Sequence, residues 1–101
     1  MWMLVMFDLP VVTRAERKAA TAFRHALLDL GFEMAQYSVY MRFCTGPEQT
    51  SALSRRIEAA LPSDGKVNML TITDKQYERI QTFFGSKKQK PLKNPEQFVL
   101  F

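Results

Sequence analysis

The chain opens on Met1-Trp2-Met3-Leu4-Val5-Met6-Phe7, apolar without interruption, and runs directly into Asp8-Leu9-Pro10. A strand with one wet face alternates apolar and polar residues, whereas an unbroken apolar run belongs to a central strand covered on both sides. This segment is therefore expected in the middle of a sheet, with neighbours on both edges. Asp8 sits at its end, and position alone leaves two readings open. A carboxylate at the end of a rigid core strand is well held for catalysis or metal binding. Aspartate also commonly caps a turn, here the one before Thr13.

At 101 residues and 47% apolar composition, the chain is expected to form one compact domain with a real core. Little room is left for a deep cleft, so a site completed by dimerisation suits this size. The formal net charge of +4 favours an anionic partner. Cys44 is the only cysteine, which excludes an internal disulfide and a thiolate metal cluster; in an apolar strand it reads as a small core residue. No apolar stretch approaches a membrane span, and the opening run is broken by Asp8 and Pro10 without a basic lead. The expected location is cytoplasmic, with no membrane partner.

Thr13 and Glu16 form a T-x-x-E capping box, and Gly31 supplies a stop, so a helix is expected between them. At 100° per residue, Val12, Ala15, Ala19, Phe23, Ala26, Leu27 and Leu30 share one stripe. Arg14, Arg17, Lys18, Arg24 and His25 share the opposite, cationic one. A β region follows from Phe32 to Cys44, as one bent strand or two short ones breaking between Gln36 and Ser38. Gly46-Pro47 opens a second helix with Leu53, Ile57, Ala60 and Leu61 inward, and Pro62 ends it. Ser63-Asp64-Gly65 is a turn, residues 66–73 a strand, 74–78 a short turn or helical bend, and 80–84 a further strand closed by Gly85. Helices alternating with antiparallel strands imply an α+β, ferredoxin-like βαββαβ sandwich over residues 1–85.

Residues 86–101 differ in character. Lys87, Lys88, Lys90 and Lys93 stand against Glu96, and Pro91 and Pro95 keep the segment extended. It finishes in Phe98-Val99-Leu100-Phe101, apolar residues best hidden by pairing with a sheet edge, in the same chain or a second subunit.

Several chemistries are excluded. Four scattered glycines make no phosphate loop, and His25, the sole histidine, sits among surface cations, which removes a triad. Zinc would lack ligands. Carboxylate and cation chemistry remains: phosphodiester cleavage with a hard divalent ion needs oxygen ligands and positive charge along the substrate. One Asp per protomer is thin for this, and two related by a dimer axis suffice. The cationic stripe is either a nucleic-acid contact or a solvated face. Ser38 and Tyr40 are core-strand residues or neighbours of Asp8 in a shared cleft. Gln36 is the harder one to place in a core, because a buried amide needs partners.

Met6-Phe7-Asp8-Leu9-Pro10, the Phe23, Arg24, Leu27, Leu28, Gly31, Phe32 run, Met34, Gln36, Ser38-Val39-Tyr40, Arg42, Leu61-Pro62 and Gly65 together resemble the small CRISPR-associated adaptation subunit. That family is the partner of the CRISPR integrase and is often described as an endonuclease; the subtype accompanying type II systems is the most similar. The resemblance covers residues 1–85 well and the tail loosely, and departs where many relatives carry a polar or acidic residue and this chain has Leu9-Pro10. It implies a ferredoxin-like homodimer whose C-terminal strand crosses to the partner. It implies that Asp8 is the catalytic and metal-binding carboxylate, using Mg2+ or Mn2+, with Gln36, Ser38 and Tyr40 in support. Arg14, Arg17, Lys18, Arg24, Arg42, Lys87 and Lys88 are then expected to bind nucleic acid, duplex DNA or single-stranded RNA. Two functions of different class follow: a metal-dependent endonuclease, and a non-catalytic DNA-bridging scaffold for the integrase. A toxin-type ribonuclease is a third.

Overall fold

The computed structural model describes residues 1–86. Its elements are β1 (Trp2–Asp8), α1 (Arg14–Asp29), β2 (Glu33–Gln36), β3 (Val39–Phe43), α2 (Pro47–Ala59), β4 (Lys66–Ile72) and α3 (Asp74–Glu78). The strands form one antiparallel sheet in the order β2-β3-β1-β4, which is the ferredoxin-like arrangement. The unalternating opening strand is central, between β3 and β4. The β region breaks into β2 and β3 at Tyr37-Ser38, where expected.

Both long helices pack on one face. Met3, Val5 and Phe7 of β1, Tyr40, Phe32 and Cys44 meet Phe23 and Leu27 of α1 and Leu53 and Ile57 of α2 in a single core. Phe23 stands edge-on to Phe7 at 5.2 Å, a favoured aromatic geometry. The capping box starts α1: Glu16 N–H donates to Thr13 Oγ1 (3.1 Å), and Thr13 N–H donates to Glu16 Oε1 (2.8 Å). Gly31 ends it at φ 86°, with Phe32 N–H bonded to Leu27 O and Gly31 N–H to Leu28 O, a Schellman motif. A side chain at Gly31 would also press on Arg42, whose Nε lies 2.8 Å from where a Cβ would stand.

Three local expectations are corrected, and the helical bend expected at residues 74–78 is realised. Val12 is 84% exposed and Ala15 is exposed, because the helix begins only at Arg14; Ala20 takes the inner position instead. Leu61 lies past the end of α2 and is exposed. Residues 74–78 make a capped helical turn, with Thr73 and Gln76 as its capping box. Residues 80–84 are not a strand of the described sheet, since that turn redirects the chain and a β-prone run becomes a strand only by pairing.

The second face of the sheet differs from what the opening run suggested. Trp2, Leu4 and Met6 are half-buried there, beside Val39, Met41 and Phe43 of β3 and Asn68, Leu70 and Ile72 of β4. At one end α3 folds over it: Tyr77 stacks on Trp2 at 4.0 Å, and Trp2 meets Phe43 edge-on at 5.5 Å. Among the described residues no long helix covers the rest, and Phe43 and Leu70 remain 50% and 49% exposed. We call this the open face. The proposed tail strand, residues 98–101, lies outside the described residues.

Candidate active site at the end of the central strand

Asp8 is the last residue of β1 and is exposed. Side chains alternate along a strand, so Asp8 shares the side of Trp2, Leu4 and Met6, at the edge of the open face. Its capping alternative is not realised. The backbone N–H groups of Val12 and Thr13 donate to Glu16 Oε1 at 3.0 and 2.8 Å, leaving Asp8 no capping task there. Among the described residues its carboxylate has no hydrogen bond and no ion pair. A free carboxylate on a rigid support is thus presented to solvent. Glu16 is well served by contrast: the Thr13 backbone hydrogen bond, the largest influence, holds its carboxyl below the ordinary value of 4.5.

Both neighbouring chains close on Asp8. On one side Lys66, the first residue of β4, is its register partner. The turn before Lys66 approaches tightly, and a Cβ on Gly65 (φ 102°) would stand 2.9 Å from Asp8 O and 2.7 Å from Leu9 Cδ2. Only glycine fits that turn. On the other side, Phe7 N–H donates to Ser38 O at 3.1 Å, extending the β1–β3 ladder one step beyond Met6 and Val39. Tyr37 precedes Ser38 in the turn that joins β2 to β3. Ser38 holds this turn at φ 63°, a left-handed conformation that non-glycine residues rarely adopt and that recurs at functional sites. Tyr37 is 89% exposed.

Of the expected supporting residues, only Ser38 meets the end of β1, where its carbonyl accepts from Phe7 N–H. Gln36 is exposed at the end of β2 opposite Val39, so it has no buried amide to satisfy. Tyr40 is corrected to a core residue: it pairs with Val5, is 3% exposed and stacks on Phe7 at 5.7 Å, on the helix side of the sheet. Strand alternation puts Tyr40 and Asp8 on opposite faces. Lys66 was missed because its proximity to Asp8 comes from register across the sheet, for which the sequence holds no local signal.

The cations divide into two places. Arg14, Arg17 and Lys18, with Thr21, Ala22 and His25, line a broad shallow depression on the outer side of α1. Arg17 Nη1 also donates to Val12 O at 2.8 Å, and Arg24 Nη2 to Thr21 Oγ1 at 3.1 Å. Arg42 is not part of this row. It pairs with Met3 in register, faces the helices and lies over Gly31 in a recess shared with Asp29, Gln49 and Arg56, where its Nη1 is buried without a partner among the described residues. Lys87 and Lys88 lie outside the described residues.

No group of three or more His, Cys, Asp or Glu side chains gathers as a metal site among the described residues. Among the described residues no helix is long and apolar enough to cross a membrane.

Comparison with known proteins yields one consistent result. The family described as CRISPR associated protein Cas2 matches residues 1–80. The CRISPR-associated endoribonuclease Cas2 of Paracidovorax avenae is 60% identical over 101 residues, spanning all of this chain and 94% of that one. Its counterparts in Flavobacterium psychrophilum and Parvibaculum lavamentivorans are each 46% identical over the whole of this chain, covering 88% and 100% of their own lengths. The crystal structure of Streptococcus pyogenes Cas2 at pH 6.5 superposes with a TM-score of 0.63 at 22% identity, over 83% of this chain and all of that one.

Proposed function

This chain belongs to the CRISPR-associated Cas2 family, and from that premise we propose that it is a homodimeric, metal-dependent endonuclease acting on RNA at a site made of two Asp8 carboxylates. One observation carries the reading: an exposed carboxylate at the end of the central strand, on the edge of an apolar sheet face, unpaired and left open by the long helices among the described residues. Exposed apolar patches of this kind mark association sites. A second copy packed on the open face hides Leu70, Phe43 and their neighbours and brings a second Asp8 to the same edge. The name endoribonuclease carried by the full-length relatives supports RNA as substrate.

The donor set fits magnesium or manganese in the dimer. Hard cations take oxygen ligands, and magnesium is commonly held by one or two carboxylates with water and phosphate filling the rest. Asp8 of each protomer would hold it; when bound, the ion polarises a phosphoryl oxygen and lowers the pKa of a coordinated water. The chain's own contribution is positional. The ladder bond at Phe7 and the close turn at Gly65 fix the strand end that carries Asp8.

A second role is favoured by the placement of Arg14, Arg17 and Lys18. They lie on the outer side of α1, across the helix layer from the face that carries Asp8. Cations so placed bind a phosphate backbone without delivering it to the carboxylates, which suits a duplex-DNA scaffold for the CRISPR integrase during spacer acquisition. The test is Asp8→Ala in the purified dimer. Cleavage of RNA in magnesium is expected to vanish while duplex binding, fold and dimer persist. Undiminished cleavage by the variant refutes Asp8 as the catalytic group.

A further inference from the structure

We propose that the recess between Arg42 of β3, Arg56 of α2 and the end of α1 docks an acidic side chain of a partner protein, its carboxylate held by the two guanidiniums. The site is independent of Asp8. Arg42 pairs with Met3, so the recess lies about 17 Å back along β1 from Asp8, at the opposite end of the sheet and on its helix side.

Three observations carry it. The first is that Arg42 is desolvated without compensation. Its Nη1 is buried with no partner, and among the described residues its side chain donates no hydrogen bond. Burying part of a charged group is costly unless an acceptor or an opposite charge receives it. The negative end of α1 favours a cation here but gives Arg42 no acceptor. The carbonyls of Leu27 and Leu28 are already taken by the N–H groups of Phe32 and Gly31.

The second is that the other polar groups of the recess are also unspent. Gln49 Oε1 accepts from Thr45 N–H at 2.8 Å and from Thr45 Oγ1 at 3.3 Å, which leaves its amide N–H groups without an acceptor among the described residues. Arg56 is exposed and has no ion pair among the described residues. Asp29 lines the same recess, of about 390 Å³, yet pairs with neither arginine.

The third is charge and shape. Two arginines against one aspartate leave the recess one positive charge in excess, which a single carboxylate neutralises. A phosphate monoester carries about −1.5 to −2 and exceeds it. A phosphodiester backbone presents its charges in a row, and the row of cations lies on the outer side of α1 instead. Leu30 and Leu53 add apolar wall to the recess, which suits the methylene stem of a glutamate. Planar guanidinium and planar carboxylate also match in two parallel hydrogen bonds.

The test is a titration of the full-length protein, followed by NMR of the arginine side-chain N–H signals. The probe is the capped peptide acetyl-Gly-Glu-Gly-amide, with its Gln counterpart and dimethyl phosphate as comparisons. The Glu peptide is expected to shift the Arg42 and Arg56 signals saturably, with a dissociation constant of about 1 mM for two charge-assisted hydrogen bonds. Arg56→Ala is expected to weaken it by about 10-fold or more, the share of one such bond. Asp29→Asn is expected to tighten it by about threefold, since a resident carboxylate that repels the ligand is gone. Both positions are exposed, so the fold is retained. A Gln peptide that shifts the signals equally, dimethyl phosphate that binds more tightly than the Glu peptide, undiminished affinity in Arg56→Ala, or an Asp29→Asn variant that does not gain affinity would each overturn the proposal.

Discussion

Replacing Leu70 with aspartate is expected to dissociate the proposed dimer while leaving the protomer folded. Leu70 faces Leu4 across β1 and β4 on the open face and is 49% exposed in the single chain. Full burial of a leucine side chain contributes about 1.5–3 kcal/mol, so the exposed half is worth about 1 kcal/mol when a partner covers it. A two-fold interface counts the residue twice, giving roughly 2 kcal/mol, or about 30-fold in the dissociation constant at 1.4 kcal/mol per tenfold. The aspartate adds the desolvation of a charge against apolar neighbours, so this figure is a lower bound. Sedimentation velocity over a dilution series reads the constant directly. A thermal melt of the monomeric variant separates loss of association from loss of fold, because substitutions at exposed positions usually change stability by little. An unchanged dissociation constant would refute the open face as the interface, and with it the pairing of Asp8 across a dimer axis.

Reversing the charges of Arg14, Arg17 and Lys18 together is expected to weaken duplex binding and flatten its salt dependence by about 0.9 for each phosphate no longer neutralised, read from affinities over a salt series. Deleting residues 94–101 is expected to weaken the dimer and integrase association, because it removes the apolar Phe98, Val99, Leu100 and Phe101 proposed to pair with a sheet edge; co-purification and sedimentation check both. Thr13→Ala is expected to cost about 1 kcal/mol in chemical denaturation by removing the α1 cap. The carboxyl of Glu16 titrates lower in the fold than its ordinary value of 4.5, so its stabilising contribution is complete above that pH and is lost as pH falls through the lowered folded value. The melting midpoint of the wild type should therefore fall more steeply below pH 4.5 than that of Glu16→Gln, compared by melts across acidic buffers.

The sequence by itself determined the elements whose causes are local. An apolar run without alternation made β1 central, Thr13 with Glu16 began α1, Gly31 ended it, and Pro47 opened α2. Each is settled by a few adjacent residues, and the order of elements then restricts the topology to a ferredoxin-like sheet. Asp8 was legible for the same reason, since a carboxylate closing such a run stands out in any reading. What lies across strands was not legible. Tyr40 and Gln36 share a motif with Ser38, yet only Ser38 meets the end of β1, through its carbonyl on Phe7 N–H, because alternation turns Tyr40 into the core and the bulge between Met34 and Gln36 resets β2. Arg42 looked like one more surface cation until β3 aimed it at the end of α1. Lys66 comes to Asp8 only through register with β4, and Ser38 comes to Phe7 only through the turn before β3. Register is a property of paired backbones, set by hydrogen bonds between segments far apart in the chain. Only the tertiary structure could therefore decide which side chains share the end of the central strand.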